Sequence, residues 1–402
     1  MSNTSQHQGQ IRVAFITSEI SHFEVPLFRI CGTLRQIDSC VFYLQPVEPA
    51  GQYDSEYGQE IHWGEALLAG YASVKCESAK ELYGRVVDWK PDVAIVYGYS
   101  WPGVLALLVR NRLRGLPQIH RGTLNFYKDP RRGLKAHVLR PVRNILLRLF
   151  NAHHYGGSYS KRVLRAAGVP EQVMFFVPYS VDSQFFKMSA DDQCEIEASV
   201  ALRKSLGWDG NARVVLYICQ HNWFKGPDIA MEVFAKLYAR FPKYRALIVG
   251  SGRMTEEMKK IASATLPAGS YHFAGFCPSK ETVKYYLTSD IVLFTSRYET
   301  WGRAINEAML CRRPCVVNRM FPAVGGLVEN EDNGFVVDNL EPDSYVEAIE
   351  RYFARSDEAQ KVMGENARVR ALEMSYENHI GELRQSIEFA ATFRQTNWAQ
   401  SN

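Results

Sequence analysis

Short apolar runs alternate with amphipathic stretches along almost the whole sequence, and the alternation begins afresh near its middle. In the first half the apolar runs cover residues 12–17, 40–44, 93–97, 118–120, 154–157 and 173–177, with helical spacing at 25–35, 78–89, 104–113 and 160–167. The second series has runs at 212–219, 245–250, 271–275, 291–295, 314–317 and 334–337, and helices at 227–240, 254–264, 280–287, 303–310 and 342–353. This is the pattern of βαβ units, whose strands lie parallel and are covered on both faces. A chain of 402 residues also exceeds what one hydrophobic core supports. The sequence therefore predicts an α/β protein of two doubly wound, Rossmann-like domains at 11–182 and 211–372, joined by a polar linker at 183–210. Residues 373–402 are expected to form a helix packing back on the first domain, and the polar residues 1–10 a disordered tail rather than a signal peptide. Open parallel sheets bind ligands outside the carboxyl ends of their strands. Two such sheets facing across a cleft offer two half-sites, which suits group transfer between two bound molecules.

Hydrophobic residues make up 46% of the chain and charged residues 22%, a globular balance, and the net charge of +4 gives no reason to expect nucleic acid. No apolar run approaches the roughly 18 residues needed to span a bilayer. The eight cysteines (31, 40, 76, 194, 219, 277, 311 and 315) show no CxxC pairing, as expected of reduced thiols in a cytoplasmic protein. Cys311 with Cys315 lacks the further ligands of a tetrahedral zinc site, so no metal site is expected.

The most informative segment runs from Thr295 through Glu299, Thr300, Trp301, Gly302 and Arg303 to Glu307. It follows an apolar run and opens a helix at Gly302, so backbone N–H groups at Trp301, Gly302 and Arg303 would form an anion site suited to a diphosphate. Glu307 can accept the two hydroxyl hydrogens of a ribose, and Glu299 can hold hydroxyls of a transferred sugar. On spacing alone the same residues are equally a surface helix with two scattered acids. The neighbours narrow the reading. Lys225-Gly226 follows the run 214–219 and opens the next helix, where a lysine meets a leaving diphosphate as a compact point charge. Gly250-Ser-Gly252-Arg253 is a strand running into a glycine-rich turn, and Phe276 ends a further run where a base could be sandwiched. All lie at carboxyl ends of predicted strands in the second domain.

In order and spacing these motifs resemble the family 4 retaining glycosyltransferases of the GT-B fold: a Lys-Gly pair, a G-x-G turn, a G-F base loop and a Glu-x7-Glu motif, with Glu307-Ala-Met309 matching the helix opening. The resemblance covers residues 214–338 closely and the first domain loosely, where 176–185 looks like the strand leading out of it. It implies a nucleotide-sugar donor, retention at the anomeric carbon and no obligatory metal or cofactor. Lys225 would meet the phosphates, Glu299 the donor sugar and Glu307 the ribose. Two features depart from the family pattern. Gln220 stands where an arginine is usual, five residues before the lysine, and Arg303, Arg253 or Arg121 would have to supply that charge. The first loop, 17–26, lacks the glycine pair and resembles that of members acting in bacterial surface-polysaccharide assembly.

On the acceptor side, His120 at the end of a short run is a candidate to orient acceptor or sugar, against the alternative of a packed histidine. His22, Glu24 and Arg121 are further acceptor-side candidates. Basic residues crowd 128–148, from Lys128 to Arg148, over apolar positions at helical spacing, although Pro141 interrupts a long helix there. Such a segment can rest on an anionic membrane and present a lipid-linked acceptor, or pack as an ordinary helix with a solvated face. Three rival functions remain: a nucleotide-sugar epimerase or hydrolase, a non-catalytic nucleotide-sugar or glycan binder, and a NAD-linked dehydrogenase. The last needs a small residue where Thr255 stands and leaves the glutamate pair unexplained.

Overall fold

The computed structural model describes residues 9–399 except 19, 21–22, 45–51, 55–58, 62–66, 99–100, 102, 123–133, 209 and 300. The chain forms two compact units, and the second holds Ser180–Ser375. Elements run β1 (Ile11–Thr17), α1 (Val25–Thr33), β2 (Ile37–Tyr43), the antiparallel hairpin β3 (Gln52–Asp54) and β4 (Gln59–Ile61), and β5 (Ala72–Lys75). There follow α2 (Ala79–Trp89), β6 (Val93–Tyr97), α3 (Val104–Leu113), β7 (Gln118–Arg121), α4 (Leu134–Leu147), β8 (Ala152–Tyr155), α5 (Ser158–Ala166) and β9 (Met174–Phe176). The first sheet has the order β5-β2-β1-β6-β7-β8-β9, and its pairings are parallel. Side chains of β1 alternate between two cores: Val13 and Phe15 pack with Leu27 and Phe28 of α1, while Ala14 and Ile16 pack with Leu82 of α2 and Leu107 of α3. Burial on both faces is why this strand reads as an unbroken apolar run.

The second unit opens with α6 (Ser183–Ala190) and α7 (Gln193–Ser205) and continues through β10 (Arg213–Ile218), α8 (Pro227–Arg240), β11 (Tyr244–Val249), α9 (Thr255–Thr265) and β12 (Tyr271–Gly275). Then come α10 (Val283–Thr288), β13 (Ile291–Leu293), α11 (Arg303–Leu310), β14 (Cys315–Asn318), β15 (Gly334–Val337), α12 (Pro342–Phe353) and α13 (Asp357–Glu373). Its parallel sheet has the order β12-β11-β10-β13-β14-β15. The last helix, α14 (Ile380–Ala399), belongs to the first unit, where Leu383, Ile387 and Ala390 complete the core that holds Val13 and Phe15.

The stretch read as a polar linker is helical. Two aspartates cap its helices: Asp182 accepts from the Phe185 N–H at 3.0 Å, and Asp192 from those of Cys194 and Glu195 at 2.9 and 3.3 Å. Gly207, at φ +67°, ends α7, and the buried Trp208 beyond it donates its indole N–H to the Gly269 carbonyl at 2.8 Å. Arg203 of α7 reaches Asp290 at 2.7 Å and the Thr288 carbonyl at 2.8 Å, fixing these helices to the second unit. Pro141 lies inside α4 and does not end it. Residues 128–133 of the basic segment lie outside the described residues. Among the described residues no helix is long and apolar enough to cross a membrane.

Candidate active site

In the second sheet the chain winds one way from β10 through β11 and β12, then returns to the middle and winds the other way through β13, β14 and β15. The loops leaving β10 and β13 lie at this switch point, and open α/β sheets bind ligands in the crevice outside the carboxyl ends of such strands. Lys225 lies in the first of these loops and Glu299 in the second. The Lys225 ammonium meets a Glu299 carboxylate oxygen at 2.5 Å, with both side chains half-buried or better. An ammonium has three N–H donors, and this pair uses one.

Several contacts hold the two loops together. The Phe224 carbonyl accepts the N–H groups of Arg297 and Tyr298 at 2.8 and 3.1 Å. Arg297 makes a two-pronged pair with Asp228 at 2.7 and 2.6 Å, and the Thr295 hydroxyl donates to the Gly226 carbonyl at 2.8 Å. Asn222 accepts from the Lys225 N–H and closes the turn at Trp223–Lys225. Neither the Asp228–Arg297 pair nor the role of Thr295 is visible in the sequence, because no spacing rule joins residues 69 positions apart.

The Gly250-Ser-Gly252 turn seats itself on the loop after β10. The Ser251 carbonyl accepts the His221 N–H at 2.8 Å, and a Cβ on Gly250 would run into the Cys219 carbonyl. Its glycines are thus required for close backbone approach as well as for φ of +122° and +155°. His221 is buried beneath this turn, with Nδ1 2.9 Å from the Thr255 hydroxyl, and burial brings its pKa down to about 4. Gly250→Ala is expected to cost clearly more stability than Gly269→Ala. The latter, at φ +82° with open space around its Cβ, carries only the roughly 1–3 kcal/mol of a strained backbone. Urea unfolding of the two variants checks this, and equal losses would mean that the turn yields freely. Arg253 is exposed on the same turn, and Phe276 is half-buried after β12. Gln220 is half-buried and accepts from the Asn222 side-chain amide at 2.8 Å.

Helix α11 starts beside Glu299. Gly302 stands at its N-cap with φ +94°, so no side chain caps the helix, and a Cβ there would press on Phe321 and Ile305. Arg303 opens the first turn, whose amides lie beyond the intrahelical ladder as at any helix start. The Trp301 side chain is buried and donates to Asn306 at 3.0 Å, so it anchors the loop, and a ligand would meet its backbone. Thr300 lies outside the described residues. Glu307, in the second turn, is 8% exposed. One of its oxygens accepts from the Ser279 hydroxyl and the other from the Tyr286 hydroxyl, both at 2.8 Å. Burial pushes its pKa up, while those two hydrogen bonds and the Arg303 charge pull it back. Each oxygen keeps a second lone pair for a ligand hydroxyl.

The remaining candidates lie in the first unit. His120 is fully buried, its ring edge-on to Phe150 at 5.2 Å and 5.7 Å from that of His153, and burial holds its pKa well below the usual range. It is a packed neutral imidazole. Glu24 and Arg121 form a buried ion pair: the guanidinium donates to both carboxylate oxygens at 3.1 Å and to the Val177 carbonyl at 3.1 Å. The Tyr97 hydroxyl donates to the same carboxylate at 3.0 Å, and the Tyr179 ring stacks on Arg121. Both side chains are at most 2% exposed, so they face each other instead of an acceptor, and Arg121 does not replace the charge missing at Gln220. His22 lies outside the described residues. All eight cysteines are free thiols, and among the described residues no group of three or more His, Cys, Asp or Glu is arranged to hold a metal ion.

With this geometry in view, residues 200–370 match the family model described as Glycosyl transferases group 1. A D-inositol 3-phosphate glycosyltransferase from Acidothermus cellulolyticus is 28% identical over 194 residues, which is 45% of this chain and 42% of that one. The chain thus spans less than half the length of that relative. Among solved structures, Anabaena HepE in complex with UDP and glucose superposes with a TM-score of 0.71 at 16% identity, covering 94% of this chain and all of that one (100%). A glycosyltransferase from Rickettsia africae gives a TM-score of 0.73 at 14% identity, covering 96% and 99%. The fold of this chain is GT-B, two parallel-sheet Rossmann-like units, and its second unit carries the similarity to the group 1 glycosyl transferases.

Proposed function

We propose that this chain is a retaining glycosyltransferase of family 4 that moves a hexosyl group from a nucleoside-diphosphate sugar to a hydroxyl of a glycan or lipid-linked acceptor, without an obligatory metal. One observation carries the reading: the Lys225–Glu299 pair sits in the switch-point crevice of the second sheet, beside a helix start that no side chain caps. The leaving diphosphate takes its charge stabilisation from the remaining Lys225 donors and the first-turn amides of α11, and preorganised electrostatics of this kind is usually the largest catalytic contribution. Glu299 holds sugar hydroxyls, and Glu307 holds the ribose through its two remaining lone pairs. The acceptor hydroxyl attacks from the face that the diphosphate leaves, and a departing phosphate oxygen takes its proton. The UDP and glucose bound by Anabaena HepE and the polyol acceptor in the name of the Acidothermus relative support the class of substrates. The loop at 17–26 supports a role in bacterial surface-polysaccharide assembly at the cytoplasmic face of the membrane.

A thermal-shift screen across UDP-, GDP-, ADP- and dTDP-sugars identifies the donor, since a ligand at about 100 times its Kd adds about 2.7 kcal/mol of apparent stability. With that donor, Glu307→Ala is expected to raise the Kd measured by calorimetry about a hundredfold, the loss of two hydrogen bonds to a charged group. Undiminished affinity would remove Glu307 from the site. Gln220 favours a second reading, donor binding without turnover, because one charge usual in the family is missing there. Release of nucleoside diphosphate that depends on added acceptor separates the two.

A further inference from the structure

The charge of this chain is unevenly spread. Between residues 103 and 170 there are fourteen lysines and arginines and one acid, Asp129, although the whole chain carries only +4. Helix α3 lies in this stretch. Its Val104, Leu107, Leu108 and Asn111 are buried against the first sheet. On the other side Leu105 is 53% exposed, Val109 40% and Leu113 82%. They recur every fourth residue, and at about 100° per residue they share one outward stripe about 80° wide. Arg112 flanks the stripe on one side and Arg110 on the other, both exposed, and Arg114 follows at the helix end. The helix therefore has two apolar faces separated by arginines, and only the inner one has a core to pack on. Right-handed crossovers put α3 and α4 on the same side of the sheet. There Val142 and Ile145 of α4 are also exposed, followed by the exposed Arg148. Single exposed apolar residues are ordinary, but a stripe edged with arginine marks an interaction surface.

We propose that the outer face of α3, continued by that of α4, docks on an anionic lipid bilayer. The apolar stripe enters the headgroup–acyl boundary while the arginines meet lipid phosphates, and a charge ratio this one-sided fits a surface that is negative throughout. A second copy of the chain is a poor occupant, because a two-fold contact through this face would set arginine against arginine. A nucleic acid would leave the apolar stripe unused. The surface stands independently of the transfer reaction.

The experiment is flotation of the full chain with phosphatidylglycerol–phosphatidylcholine vesicles and with phosphatidylcholine vesicles alone. The chain is expected to float with the first and not with the second, and added salt should release it. The variant Leu105→Ser/Val109→Ser/Leu113→Ser should bind about tenfold more weakly or worse. These side chains lie outside the core, so the melting temperature and the nucleotide-induced thermal shift should be unchanged. That leaves failure here distinguishable from failure of the proposed reaction. Arg110→Gln/Arg112→Gln should flatten the salt dependence. The proposal is overturned if the parent chain ignores anionic vesicles, or if the serine variant floats as well as the parent. It is overturned equally if the parent is a dimer in solution that the serine variant converts to monomer with no change in flotation.

Discussion

Lys225→Ala is expected to lower the turnover of donor and acceptor by about 10²–10³-fold, the usual cost of removing one preorganised charge from a developing anion. The side chain makes one hydrogen bond, to Glu299, and is a quarter exposed. The loop that carries it keeps its shape by other means: the Phe224 carbonyl, the Asn222 cap and the Asp228–Arg297 pair all remain. The fold should therefore survive with its melting temperature little changed, and the loss should fall on kcat more than on KM. Lys225→Arg should recover only part of the rate, since a planar guanidinium cannot replace a compact ammonium in this crevice. Initial rates with the nucleotide sugar picked out by the thermal-shift screen decide it. A kcat within about threefold of the parent would place the chemistry elsewhere.

Arg121→Met should destabilise the first unit by about 3–5 kcal/mol, because it leaves the Glu24 carboxylate buried without its partner. Burial, the largest single influence, works against the guanidinium charge, but Glu24 together with Tyr97, Tyr179 and Tyr376 outweighs it and holds Arg121 protonated well above its usual range. Glu24 accepts three donors, two from Arg121 and one from Tyr97. The double variant Glu24→Leu/Arg121→Met should recover much of the loss, since replacing both charges with apolar groups removes the uncompensated one. Amide exchange in β1 and β7 reads the unit directly and should accelerate by roughly a hundredfold or more in the single variant. A loss under about 1 kcal/mol would mean that water reaches the pair.

Sequence and structure agree best where apolar runs are bounded sharply. Val93–Tyr97, Tyr271–Gly275, Pro227–Arg240, Arg303–Leu310 and Pro342–Phe353 have the same limits in both. Strand β5 escaped because Ala72–Lys75 is short and half-exposed at a sheet edge, with no apolar pattern to announce it. Helices α6 and α7 escaped because their capping aspartates and charged surface look like a linker when the partners Thr288, Asp290 and Gly269 are out of view. At the site, Lys225, Glu299 and Glu307 were legible as motifs, since backbone geometry at strand ends fixes their spacing. The residues that hold Glu307 were not: Ser279 and Tyr286 lie 28 and 21 positions away with no periodic relation to it. Polar side chains in β7 misled in the opposite way. Gln118, His120 and Arg121 look like a solvent-facing strand end, yet that strand is covered on both faces, and Arg121 finds its partner 97 residues away.

The return of α14 to the first unit sets an order of events during synthesis. Tyr376, Leu383 and Ile387 belong to the same core as Val13 and Phe15, and the Ser386 hydroxyl lies 2.8 Å from His154 Nε2. The first unit, translated before the second, thus completes its core only after it. Its sheet must wait on the ribosome with the part of one face that α14 covers still open, beside the part that α1 already covers, while the second unit emerges and folds.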